Sequence, residues 1–86
     1  MPEISRFFGV IIRMFYDDHN PPHFHAEYGG KKAKIDFRGN LLMGDLGSKT
    51  ALKLVREWID LHQAELMEDW DLARKNKEIK KINPLE

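Results

Sequence analysis

The sequence has no cysteine, no net charge and no long apolar run, and each absence removes a class of protein. Without cysteine there is no disulfide scaffold and no thiolate-ligated zinc or iron–sulfur site. With 14 Lys and Arg against 14 Asp and Glu, the chain lacks the basic excess that a general grip on RNA or DNA requires. No stretch approaches the roughly 18 apolar residues of a membrane span, and Met1–Gly9 has no basic region leading into an apolar one. The expectation is a cytoplasmic protein with no membrane partner. What remains is 86 residues with 42% hydrophobic side chains, enough for one small core and a single domain over residues 1–86.

Charge is balanced in total but not in arrangement. Residues 57–71 hold six acids (Glu57, Asp60, Glu65, Glu68, Asp69, Asp71) and no Lys or Arg, whereas residues 74–81 hold five bases and only Glu78. One reading is a solvated helix face followed by cations at its C-terminus, where the helix dipole favours them. The other is an acidic surface and a basic tail that dock onto a partner.

The first half of the chain has period two and the second a period near 3.6. Phe8, Val10, Ile12, Met14 and Tyr16 alternate along a first strand, which the loop Asp17-Asp18-His19-Asn20-Pro21-Pro22 ends because two prolines remove two backbone donors. Gly29-Gly30 lies between two alternating runs and predicts a two-residue hairpin turn. Counting outward sets Tyr28 against Lys31, Glu27 against Lys32, Ala26 against Ala33, His25 against Lys34, Phe24 against Ile35 and His23 against Asp36. Apolar residues then oppose apolar ones, so both strands agree on the buried face. Gly39-Asn40 predicts a further turn into a short strand at Leu41–Met43. The expected fold is α+β: an antiparallel meander of three to four strands within residues 3–46, packed on one long helix over about 49–76, with an extended tail over 77–86.

Ser48 or Thr50 can cap that helix, and Ala51, Leu54, Val55, Trp58, Ile59, Leu61, His62, Leu66, Trp70 and Ala73 form its apolar stripe. Running unbroken, it would be about 40 Å long, more than a small meander needs, so it kinks or its distal half projects. In a projecting half, Leu66, Met67 and Trp70 form an exposed apolar patch for a partner; in a packed one, the tryptophans anchor the core. The tail, with Lys80, Lys81 and Ile82, either folds back on a sheet edge or serves as a docking peptide.

Three histidines lie within seven residues, and strand alternation puts His23, His25 and Glu27 on one face. Two imidazoles and a carboxylate are the ligand set of non-haem iron or catalytic zinc, with His19 a further ligand from the loop. Against this, Lys34 and Lys32 sit opposite His25 and Glu27, where ammonium groups disfavour a dication. A metal-free alternative uses the same face for ribonuclease-type acid–base chemistry. His23 and His25 would exchange protons, Asp36 would orient His23, and Lys34 would stabilise a phosphate oxyanion. No cysteine or base-paired serine offers an activated nucleophile, Gly47-Ser48-Lys49-Thr50 lacks the glycines of a phosphate-binding loop, and no cofactor is called for.

The run Asp18-His19-Asn20-Pro21-Pro22-His23-Phe24-His25-Ala26-Glu27-Tyr28-Gly29 resembles a bacterial family known only as a domain of unknown function (number four-one-six-zero). The segments Pro2–Gly9, Leu54–Trp58 and Glu65–Trp70 are similar to it as well. The resemblance implies a small bacterial protein whose gene sits beside that of another small domain, an arrangement like toxin–antitoxin pairs. It assigns no catalytic residue. The leading expectation is therefore an interaction module rather than an enzyme. It would bind a cognate small protein from a neighbouring gene, or a second copy of itself, through Leu66, Met67, Trp70, Lys80, Lys81 and Ile82. The ribonuclease and metal-binding readings follow.

Overall fold

A computed structural model of the chain describes residues 3–16 and 18–86. Met1, Pro2 of the opening motif and Asp17 at the start of the proline loop fall outside the described residues. Five strands form one antiparallel meander in sequential order: β1 (Glu3–Phe7), β2 (Val10–Arg13), β3 (His23–Tyr28), β4 (Lys31–Asp36) and β5 (Leu41–Gly44). Two helices follow, α1 (Lys49–Leu61) and α2 (Gln63–Arg74). The fold is α+β, with five strands where three to four were expected and two helices where one was expected. No helix among the described residues is long and apolar enough to cross a membrane.

The extra strand comes from a turn hidden inside the first alternating run. Phe8 and Gly9 both have positive φ, 48° and 82°, and reverse the chain so that Phe7 pairs with Val10. Two consecutive positive φ values match the right-handed twist of a tight hairpin. Phe8 is consequently 61% exposed instead of sharing the face of Val10, Ile12 and Met14. At Gly29-Gly30 the pairing is the one counted from sequence, from Tyr28 with Lys31 through to His23 with Asp36.

Val10, Ile12, Phe24, Ala26, Ala33 and Ile35 carry the buried face of the sheet, and α1 and α2 supply Val55, Trp58, Ile59, Leu66 and Trp70 to the same core. Each such large side chain contributes about 1.5–3 kcal/mol by leaving water. Ser48 starts α1 by accepting a hydrogen bond from the Ala51 N–H. The helical stripe breaks at His62, whose φ of −128° leaves the helical region. Three contacts hold the break: the His62 N–H donates to the Ile59 carbonyl, the His62 ring meets the Glu65 carboxylate at 2.6 Å, and the Gln63 amide donates to the Phe37 carbonyl. An unbroken helix of about 40 Å would overrun a molecule whose longest dimension is 33 Å. The break folds α2 back, so Leu66 and Trp70 are buried and the projecting apolar patch is not formed.

Beyond α2 the chain returns to β1. The Ile82 N–H donates to the Ile4 carbonyl, the Trp58 indole N–H donates to the Asn83 carbonyl, and the Lys80 N–H donates to Asp69 Oδ1. Ile82 is buried in the core.

Candidate metal centre

The site begins at the first residue of β3. His23 is only 3% exposed, its ring lying against the Trp70 indole with centroids 5.4 Å apart. Of the two imidazoles that alternation groups on one face, His23 is thus the one shielded from water. His25, two residues on, is half-buried and held edge-on against Phe15, 4.4 Å between centroids. The loop before β3 brings Asp18 over both rings. Its Oδ2 lies 3.1 Å from His23 Nε2 and 3.2 Å from His25 Nε2. The donor atoms of Asp18, His23 and His25 all fall within 4.8 Å of one another.

The backbone decides which nitrogen of His23 carries its proton. Nδ1 lies 2.8 Å from the Pro21 carbonyl oxygen, which can only accept, so Nδ1 is protonated and donates. In the neutral ring Nε2 is then a lone pair, and it faces a carboxylate oxygen that is also an acceptor. That buried Nε2 has no hydrogen-bond partner. Two acceptors facing each other at this distance need a cation between them, either a proton or a metal ion. An imidazole that donates one nitrogen to a backbone carbonyl and presents the other is the usual outer-shell arrangement of a metal-ligating histidine. Ligands about 2.0–2.2 Å from a common ion lie roughly 3–3.5 Å from each other, the spacing found here between Asp18 Oδ2 and each imidazole Nε2.

The surroundings favour the neutral imidazole at His25, whose Nε2–H donates to Asp18 Oδ2 at 3.2 Å. Burial pushes its pKa below the usual value, the neighbouring His23 and Lys34 push the same way, and Asp18 opposes them. A cleft of about 230 Å³ opens beside Asp18 and His23, lined by these two with His19, Asn20, Pro21, Lys34 and Leu42. An ion held by three protein ligands would keep coordination positions free, and two of the three candidates, Asp18 and His23, border the cleft.

The profile of a family described as Domain of unknown function (DUF4160) matches residues 9–71, most of the chain, spanning Asp18, His23, His25 and Lys34. The chain belongs to the DUF4160 family. No curated protein and no solved structure matches it significantly.

The other site residues expected from sequence fall into two groups in this DUF4160 chain. Glu27 is not a ligand: it is ion-paired with Arg13 and lies 4.0 Å from Lys32, so its charge is already met. His19 is exposed on the cleft rim, outside the ligand cluster. Asp36 does not orient His23. Although the two residues are register partners, the Asp36 carboxylate accepts from the Arg38 and Asn40 backbone N–H groups and the Asn40 amide, closing the β4–β5 turn. Partial burial pulls the Asp36 pKa up, but the hydrogen bonds from Asn40 and Arg38 outweigh it and hold the carboxyl below its usual range. Lys34 lines the cleft.

Among the partner-binding candidates, Leu66, Trp70 and Ile82 are core residues, while Met67, Lys80 and Lys81 are exposed and Lys80 pairs with Glu68 at 2.6 Å. Asp18 is the residue that sequence reasoning passed over. Its only local signal is position: a carboxylate ahead of two prolines that reverse the chain toward His23.

Proposed function

We propose that this DUF4160 chain is a divalent-metal-binding protein whose ion is held by Asp18, His23 and His25. The reading rests on one observation, the buried Nε2 of His23, which faces Asp18 Oδ2 at 3.1 Å without a hydrogen-bond partner while Nδ1 donates to the Pro21 carbonyl. Two imidazoles and one carboxylate suit borderline ions such as zinc, iron(II), cobalt(II) or nickel rather than calcium or magnesium. A bound ion with open positions supplies a Lewis acid that can polarise an anion or lower the pKa of a water. Calorimetry with zinc, nickel and iron(II) tests the reading. The expected result is one ion per chain, with Asp18→Asn and His25→Ala each weakening binding by more than the roughly 10–100-fold typical of outer-shell losses. Glu27→Gln and His19→Ala should leave the affinity within about threefold, since neither belongs to the cluster. No heat with any of the three ions, or binding indifferent to Asp18→Asn, overturns it.

A second reading keeps the chain as an interaction module with the product of a neighbouring gene. It is supported by the surface positions of Met67, Lys80 and Lys81. Co-expression followed by gel filtration tests it, and a chain that elutes alone removes it.

A further inference from the structure

The open face of the sheet carries one register row that crosses the metal centre. Arg13 pairs with His25 from β2, and Lys34 pairs with His25 from β4, so a cation flanks this ligand on each side. The two cations are not equivalent. Arg13 is ion-paired with Glu27. Lys34 has no carboxylate within 4.0 Å among the described residues, and it shares the cleft wall with Asp18 and His23. On the reading above, the described groups of the centre and its cleft are a dication, one carboxylate, two neutral imidazoles and one ammonium, a net charge of about +2 in a partly desolvated space. This surplus is the cost that sequence reasoning counted against a metal here, and it disappears when the ligand itself brings two negative charges.

We propose that the cleft takes a phosphoryl dianion, one oxygen on the open coordination position and another on the Lys34 ammonium. The proposal rests on the metal reading and adds its ligand class. A carboxylate brings one charge and leaves the site about +1, whereas a phosphate dianion neutralises it. Lysine suits phosphate as a point charge that does not demand a planar, two-pronged partner. The cleft has room for a small phosphorylated group, and Leu42, 41% exposed at the lip, offers apolar contact to whatever carries the phosphate.

The cobalt(II)-loaded protein tests this, because its visible spectrum reports metal loading and ligand exchange separately. Inorganic phosphate, adenosine monophosphate and acetate are titrated in turn at pH 7.5. The expected result is a spectral change saturating with phosphate or the monophosphate at concentrations at least about tenfold below acetate. A tighter adenosine monophosphate than phosphate assigns the site to phosphomonoesters, and the reverse assigns it to the free anion. Lys34→Gln should weaken phosphate at least about tenfold while leaving cobalt affinity equal or higher, since it removes a like charge. A cobalt spectrum that ignores phosphate, acetate matching phosphate, or Lys34→Gln binding phosphate normally overturns the ligand class and leaves the metal reading standing. Absence of cobalt binding brings down both.

Discussion

The two edges of the sheet are finished in opposite ways. At β1 the returning tail lies along the strand, with the Ile82 N–H on the Ile4 carbonyl and the Ile82 side chain in the core. At β5 no strand of the sheet pairs on the outer side, and Leu41, Leu42 and Met43 are 40%, 41% and 68% exposed. Unpaired edges invite association, and proteins blunt them by covering or charging them. Here one edge is covered by the chain itself, and the covering segment is moored to α2 by a buried carboxylate. The difference teaches where stability resides: the last ten residues belong to the fold, whereas β5 has little packing to lose.

Cutting the β1 mooring is the hardest blow to this contrast. Ile82→Ala should lower unfolding free energy by about 3 kcal/mol, within the range for truncating a buried isoleucine, as measured by urea denaturation. A loss below about 1 kcal/mol would place the tail outside the cooperative fold.

Asp69 gives the next effect, and it depends on pH. Its Oδ1 accepts the Lys80 N–H while Oδ2 is buried without a partner. Burial raises its pKa from 3.8 to about 6, with Glu68 and Glu65 adding to the rise and the Lys80 N–H and ammonium opposing it. Because the folded chain holds this proton more tightly than the unfolded one, the contribution is stabilising below the unfolded pKa and is lost as pH rises through about 6. Asp69→Asn keeps the acceptor and removes the charge. It should therefore gain about 1–2 kcal/mol at pH 7 and little at pH 4, flattening that stretch of the stability profile. An unchanged profile between pH 4 and 7 would remove Asp69 as its cause.

The smallest effect belongs to β5. Met43→Lys should change stability by less than about 0.5 kcal/mol while placing a charge on the open edge. A larger loss in the same denaturation series would show that β5 is packed after all.

What the residues disclosed in advance follows from how local the causes are. The Gly29-Gly30 hairpin was legible because two strands independently vote on one register, and only one counting satisfies both. The Phe8-Gly9 turn was not, because Val10, Ile12 and Met14 continue an alternation that Phe8 begins by accident, and phenylalanine rarely takes a positive φ. The break at His62 lacks the usual glycine or proline, being made by a distant acceptor at Phe37 and by Glu65. At the site, strand alternation correctly grouped His23 with His25. The carboxylate that lies beside them was not legible, because Glu27 and Asp36 are near in sequence and register, while Asp18 arrives by the path of a loop that no periodicity describes.

The two tryptophans divide the molecule between them as optical reporters. Trp58 donates its indole hydrogen to the tail at Asn83, and Trp70 lies against His23 of the proposed centre. Substituting one at a time by phenylalanine would leave a single emitter in each variant. One would signal release of the C-terminal strap, and the other would report a paramagnetic ion if one were held beside His23.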